Sequence, residues 1–418
     1  MTTFDIDWVR SQFPALAIKV NGYPVAFFDG PGGTQVTQRV IDAMAGYLGA
    51  SNANTHGAFA TSRRTDEVIA AAHAAMADLL GCDPEEIVFG PNMTTLTFAL
   101  SRALGRDLSP GDEIIVTRLD HDANFSPWAA LEERGCVIRL VDIHPTDCTL
   151  DMDELRRIVT PRTRVVAVGY ASNAVGTIND VGEVVRLAHA VGAMVYVDAV
   201  HYAPHGPIDV RSLDCDFLVC SPYKFFGPHS GVLFGKRGHL LRLRPYKVRP
   251  ATDSLPGRWE TGTQNHEGLA GVTAAVEYLA ELGRRHTPEE HGRRAALLAA
   301  YDALRAYERG LLEQLVPALL EIPGLTFYGI TEPAQFQQRV PTVAVRIAGR
   351  SPREMAAYLG ERGIFTWDGN YYALNLSERL GVEQNGGMLR IGLVHYNTAE
   401  EIDRLLEALR TLAPRNLP

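Results

Sequence analysis

An apolar run, Ala193-Met-Val-Tyr-Val197, ends in Asp198, and 26 residues beyond that carboxylate stands Lys224, at the end of Asp216-Phe-Leu-Val-Cys220 and a Ser221-Pro-Tyr-Lys224 turn. Phe225, Phe226 and Gly227 follow at once. If both runs are strands of one sheet ending at the same edge, they bring an acid and an amine together. That pair suits pyridoxal phosphate: the amine condenses with the cofactor aldehyde, and the carboxylate keeps the ring nitrogen protonated as an electron sink. Taken alone, Asp198 reads equally well as a turn cap and Lys224 as a surface residue, but aromatic neighbours are unusual around a solvated lysine.

Composition narrows the choice of amine. Of 40 basic residues, four are lysines: Lys19, Lys224, Lys236 and Lys247. The other 36 are arginines, a compositional bias whose consequence is that a deprotonated amine has four possible positions, arginine being permanently charged. Lys236 lies in a polar Gly-Lys-Arg-Gly turn, and neither Lys19 nor Lys247 follows a strand end.

The elements that must position this pair are legible as alternating patterns. Short β-branched runs at Glu86–Phe89, Glu113–Thr117, Val137–Val141, Arg164–Val168, Ala193–Val197 and Asp216–Cys220 predict strands. Between them, Asn124–Glu133, Asp151–Ile158 and Asp180–Ala190 carry helical apolar spacing. The alternation predicts βαβ units and an α/β domain with a mostly parallel, doubly covered sheet. An Ala/Leu/Glu/Arg-rich stretch over 266–320, broken near Gly283–Pro288, predicts connecting helices. Strand-like Val340–Ile347 and Met388–Leu393, with helix-like Pro352–Arg362 and Thr398–Leu412, predict a smaller α+β lobe. The expected organisation is an N-terminal segment (1–30) packed on the small lobe, a large cofactor-binding domain (31–265), connecting helices (266–320) and a small domain (321–418).

A chain of 418 residues that is 46% hydrophobic and 21% charged is too apolar to be disordered. Its net charge of −9 argues against nucleic acid or an anionic membrane surface as main partner. No run of 18 apolar residues occurs, and the start, MTTFDIDWVRSQF, lacks the features of a signal peptide, so a cytoplasmic location is expected. Five cysteines form no CxxC pair, which predicts neither disulfides nor a metal site.

Several motifs in order give the chain a specific resemblance: Phe28-Asp-Gly-Pro-Gly-Gly33, Phe89-Gly-Pro-Asn-Met-Thr94, His121-Asp-Ala-Asn124, Ser172-Asn-Ala-Val-Gly176, Asp198, Ser221-Pro-Tyr-Lys224, Glu260-Thr-Gly-Thr263 and Arg390-Ile-Gly-Leu-Val-His-Tyr-Asn397. The chain resembles the class V aminotransferase group of fold type I pyridoxal phosphate enzymes, and within it the cysteine desulfurase and selenocysteine lyase branch. The resemblance implies a fold type I architecture and a homodimer with shared active sites. It implies that Lys224 carries the cofactor and His121 stacks on its ring and assists proton transfer. Met93, Thr94 and Ser221 would hold the phosphate, with Thr263 reaching in from a neighbouring subunit. Asn173 would bond the phenolic oxygen, and Asp198 the ring nitrogen. Arg390 would take the carboxylate of an amino-acid substrate with its bidentate fork. Tyr371, Tyr372, Trp367, Trp128, Asn54 and His56 are expected to line or cover the pocket.

Three departures limit the analogy. His201 stands where desulfurases usually have glutamine, and Tyr223 where a histidine usually precedes the lysine. Tyr372 falls near the place of the mobile nucleophilic cysteine, and no cysteine follows Cys220. The first expectation is therefore elimination, a related lyase reaction or a cyclisation on an amino acid without a protein persulfide. Transamination is the second, and a non-catalytic homologue of the fold the third.

Overall fold

Strands Ile87–Gly90 (β1), Glu113–Thr117 (β2), Val137–Val141 (β3), Thr163–Gly169 (β4), Met194–Asp198 (β5), Phe217–Cys220 (β6) and Gly231–Gly235 (β7) form one sheet in the order β1-β7-β6-β5-β4-β2-β3. The computed structural model describes residues 4–288 and 292–414. The first three residues of the expected N-terminal segment and the last four of the expected small domain lie outside that range. Strands β3, β2, β4, β5 and β6 pair in parallel, while β7 runs antiparallel to both β6 and β1. The expected α/β fold with a mostly parallel sheet is thus the one the chain forms. Every residue of β2, β6 and β7 is buried, as a sheet covered by helices on both faces requires. The alternation did not predict β7. Ten residues, 221–230, separate it from β6, too few for a parallel crossover, so the chain turns straight back.

The helical pattern over 124–133 forms instead three short turns, Asp122–Asn124, Ser126–Ala129 and Ala130–Arg134. Pro127 lacks the N–H that would continue a helix from the preceding turn, so it restarts one. A regular helix, Met93–Leu104 (α1), follows β1, with the Asn92 side chain capping the Thr95 amide at 2.8 Å.

Helices His266–His286 (α2) and Arg293–Leu320 (α3) connect the lobes. A side chain at Gly283 would place its Cβ 1.7 Å from the Ala296 carbonyl oxygen, so glycine lets α2 and α3 pack closely. The first half of α3 buries Ala296, Leu297, Ala300 and Leu304 in the large core. Its second half buries Leu311, Leu312, Leu315 and Leu319 in the small one. There, Leu325–Tyr328 (β8), Thr342–Ile347 (β9), Trp367–Gly369 (β10) and Met388–Gly392 (β11) form an antiparallel sheet ordered β8-β9-β11-β10. Near the N-terminus, Ala26–Phe27 pairs with Ile364–Phe365, and Phe28 enters the small core. Among the described residues no helix is long and apolar enough to cross a membrane.

Candidate active site

Strand order reverses at β2, whose sequence successor β3 lies on one side and β4 on the other. Such a switch point opens a crevice at the carboxyl ends of the strands. His121 follows β2, Asn173 follows β4, Asp198 ends β5, and Ser221 and Lys224 follow β6. A cavity of about 680 Å³ lies there, lined by Met93, Thr94, His121, Asn173, Asp198, His201 and Lys224 from the large domain and by Trp367, Tyr371, Tyr372 and Arg390 from the small one.

Each side chain has a physical anchor. Asp198 is buried and its Oδ1 accepts from the Val200 amide at 2.9 Å. Burial raises its carboxyl to about 6, against the opposing pull of that amide and of Lys224. The Lys224 ammonium donates to the Pro31 carbonyl. Burial, then the Arg390 charge, pulls the amine down to about 7, with Asp198 and Asp29 opposing. The His121 Nδ1 accepts from the Ala123 amide at 3.0 Å, which puts the proton of a neutral ring on Nε2. Burial and then Lys224 lower this imidazole to about 4. His201 is held through Nε2 by the Thr342 hydroxyl at 3.0 Å, and burial, then His205, keep it neutral.

Arg390 reaches in from β11. Its Nη1 donates to the Asn173 carbonyl at 2.9 Å, the guanidinium lies 4.3 Å from the Tyr371 ring centroid, and Nε has no partner. Asn173 donates to the Tyr371 carbonyl at 2.8 Å, while its Oδ1 is buried without a partner. Thr94 lies in the first turn of α1, where amides and the helix dipole favour an anion. β7 crosses so close beneath that a Cβ at Gly231 would stand 2.3 Å from the Asn92 carbonyl carbon. Ser221 is fully buried, its hydroxyl has no partner, and it is not among the cavity-lining residues.

Other expected residues lie elsewhere. Asn54 and His56 do not line the cavity: both are exposed on the loop before helix Ala60–Leu80. That loop is tied to the helix by Ser62 donating to the Asn54 carbonyl at 2.6 Å and by the His56 amide donating to Asp66. Trp128 is core, fully buried, with its Nε1 donating to Asn124 at 3.2 Å. Thr263 is exposed and outside the cavity of its own chain.

Two acids were not singled out by sequence. Asp120 lines the cavity, accepts from the Gly169 amide at 2.5 Å and from the Thr117 hydroxyl at 2.9 Å, and so clamps the ends of β4 and β2 together. Burial raises its carboxyl to about 8. Asp29 is also raised by burial, to about 6, with the charges of Arg390 and Lys224 opposing. The signals were present, Asp120 directly before His121 and Asp29 directly before Gly30-Pro-Gly-Gly33, but neither spacing specifies a partner.

The profile of the family described as Aminotransferase class-V matches residues 26–405. A cysteine desulfurase of Pectobacterium atrosepticum is 33% identical over 428 residues, spanning 98% of each chain. The chain belongs to the class V aminotransferase family. A probable cysteine desulfurase of Mycolicibacterium paratuberculosis is 32% identical over 426 residues, 98% of this chain and 58% of that longer protein. Among solved structures, the S-sulfonic acid form of an Escherichia coli cysteine desulfurase superposes with a TM-score of 0.83 at 29% identity, covering 98% of both chains. The apo cysteine desulfurase of Thermococcus onnurineus gives 0.87 at 25% identity, covering 99% of both.

This class V protein is therefore a fold type I, pyridoxal phosphate-dependent enzyme related to the cysteine desulfurases. Its cavity fits the cofactor chemically. An amine, a carboxylate, an imidazole and a helix N-terminus line one crevice, and the buried Ser221 hydroxyl and Asn173 Oδ1 lack partners among the described residues.

Proposed function

We propose that this enzyme cleaves a bond from Cβ or Cγ of an amino acid, C–S cleavage being the leading case, and releases the leaving group directly rather than onto a protein thiol. The observation that carries this reading is the place of Tyr372. Its carbonyl accepts from the Asp122 amide at 2.7 Å, and its ring stacks on His121. Tyr371 and Tyr372 both adopt left-handed backbone, φ 57° and 61°. Asn370 accepts from the Tyr372 amide at 3.0 Å and donates to Glu383 at 3.0 Å. A segment braced in this way is not a swinging arm, and a phenol cannot carry sulfur as a persulfide.

The cysteines support the same reading. None of the five lines the cavity, and burial raises the thiol of each, which disfavours the reactive thiolate.

Bound pyridoxal phosphate supplies the electron sink that makes the substrate Cα–H acidic. Thr94, Met93 and Ser221 would hold its phosphate, Asp198 its ring nitrogen and Asn173 its phenolic oxygen, while Lys224 would anchor it and serve as base. An amine drawn down to about 7 is partly unprotonated at neutral pH, as a proton acceptor must be. Arg390 holds the substrate carboxylate, and its unpartnered Nε leaves donor capacity for it. Neutral His121, with its Nε2–H, offers a donor without adding charge. Thr263, exposed on one chain, completes the site from a second copy in a homodimer, whose contact area would cover exposed Ile41, Leu48 and Phe59.

The test is product analysis of the holoenzyme with a panel of amino acids. Pyruvate or another keto acid, ammonia and free thiol, formed without an added keto acid, are expected. Conversion of the cofactor to its amine form, reversed by an added keto acid, would establish transamination instead. Intact mass after exposure to L-cysteine should show no added sulfur, and alkylating accessible thiols should leave turnover unchanged. Loss of turnover on alkylation would overturn the reading.

A further inference from the structure

β1 is the edge strand of the central sheet, with β7 on its one paired side. A backbone N–H on the open side needs an acceptor from outside the sheet. Glu260 supplies one to Phe89, its Oε1 accepting from that amide at 2.7 Å. His73 Nε2, from helix Ala60–Leu80, donates to the same oxygen at 2.9 Å, and both side chains are buried. Nδ1 of the same ring donates to the Ile69 carbonyl at 2.8 Å, and the ring meets that of Phe89 edge-on at 4.8 Å.

A carbonyl and a carboxylate both accept, whereas a neutral imidazole has one N–H to give. Only the imidazolium satisfies both. Burial works to lower this group, but the Glu260 hydrogen bond and charge, with the Ile69 carbonyl, hold it above its ordinary value. Other charged groups around helix Ala60–Leu80 are paired elsewhere. Asp78 on that helix and Glu277 on α2 both pair with Arg293 of α3, Glu281 of α2 with Arg285, Arg294 of α3 with Asp209, and Glu86, just before β1, with Arg211. Glu260 is the charge that acts on His73.

Two functional segments meet at this carboxylate. Phe89 leads through Asn92, which caps α1, to Met93 and Thr94 on the cavity wall. Glu260 itself follows Trp259, whose Nε1 donates to the Leu240 carbonyl at 2.9 Å, and directly precedes the exposed Thr261-Gly-Thr263. We propose that His73 is a positioning residue for the cofactor phosphate: as the imidazolium it holds Glu260, and through Glu260 both the entry to α1 and the loop that carries Thr263. This rests on the reading that the phosphate lies at the start of α1. The hold is complete below the midpoint of the folded imidazole and is lost as pH rises through it.

The test is retention of pyridoxal phosphate by the holoenzyme on dialysis between about pH 6 and about pH 10, beside nitrogen-15 NMR of His73, assigned by its loss in His73→Arg. Both ring nitrogens should be protonated at about pH 7, with a midpoint above the ordinary 6.5. Arginine keeps its charge throughout, so relative to His73→Arg the wild type should lose about tenfold in retention across that range. His73→Gln should be about tenfold weaker than wild type at the acid end and equal to it at the alkaline end. Thr94→Ala should weaken retention at every pH. Undiminished retention by Thr94→Ala would displace the phosphate from α1 and overturn the proposal together with that reading. Weakened retention there beside parallel profiles for wild type and His73→Arg, or a neutral His73 ring at about pH 7, would overturn the role of His73 alone.

Discussion

The Tyr372 ring lies nearly parallel to the His121 imidazole, 5.3 Å between centroids, and the Tyr372 carbonyl is bonded to the amide that follows His121 in sequence. A small-domain loop is thereby fastened to the large domain at the cavity that Lys224 also lines.

That fastening strains the backbone. Tyr372 is 72% exposed with φ 61°, a region asparagine tolerates and β-branched residues avoid. Tyr372→Asn should leave the unfolding midpoint unchanged or raised, and Tyr372→Val should cost about 1–2 kcal/mol. Equal denaturant midpoints for the two variants would contradict the strained geometry.

His121 should be neutral throughout the working range. With its imidazole drawn down to about 4, nitrogen-15 NMR of the cofactor-free enzyme should show the Nε2–H tautomer at pH 6 and above. A midpoint near the ordinary 6.5 would mean that the ring is far better solvated than its packing indicates.

Lys224 sets a pH window for stability. Its folded value of about 7 lies below the ordinary 10.5, so between those limits the unfolded chain binds more protons and the stability of the cofactor-free protein rises with pH. Below about 7 both states are protonated and the full cost of burying the charge is present. Comparison with Lys224→Met isolates the effect from Asp198 and Asp29, which are present in both proteins. The wild type should gain on the variant as pH rises from 7 to 10. Parallel profiles would refute this.

Asp120 should tolerate amidation but not deletion. Its carboxyl, raised to about 8, is mostly protonated at pH 7, and an amide can still accept from Gly169 and donate to Thr117. Asp120→Asn should cost under about 1 kcal/mol, whereas Asp120→Ala strands two buried groups at about 1–3 kcal/mol each. Urea melts of the two variants give the comparison.

The start of α1, the proposed place of the cofactor phosphate, depends on Gly231. A methyl group there would meet the Asn92 backbone at 2.3 Å, displacing the first turn of α1. Gly231→Ala should weaken retention of pyridoxal phosphate on dialysis at least tenfold; retention equal to wild type would show that the helix start yields at no cost.

Much of this protein was readable from its chain. The βαβ alternation gave six of the seven strands of the central sheet, four of which, β2, β4, β5 and β6, are parallel strands buried over most of their length and so read as continuous apolar runs. Scarcity of lysine, with Asp198 and Lys224 after two such runs, pointed to two residues that line one cavity. The seventh strand, β7, follows too short a connection for the βαβ pattern to include it. What only the tertiary structure decided is which residues meet. Strand order placed His121 beside Asn173, and domain packing carried Arg390 and Tyr372 into the same cavity. It left Asn54, His56 and Trp128 out, because a loop tied to its own helix and an indole satisfied in the core have no reason to turn toward the site. The clamp role of Asp120 is also tertiary. A carboxylate's neighbours and the water it loses depend on segments far apart in sequence, whereas strand and helix patterns depend on residues a few positions away.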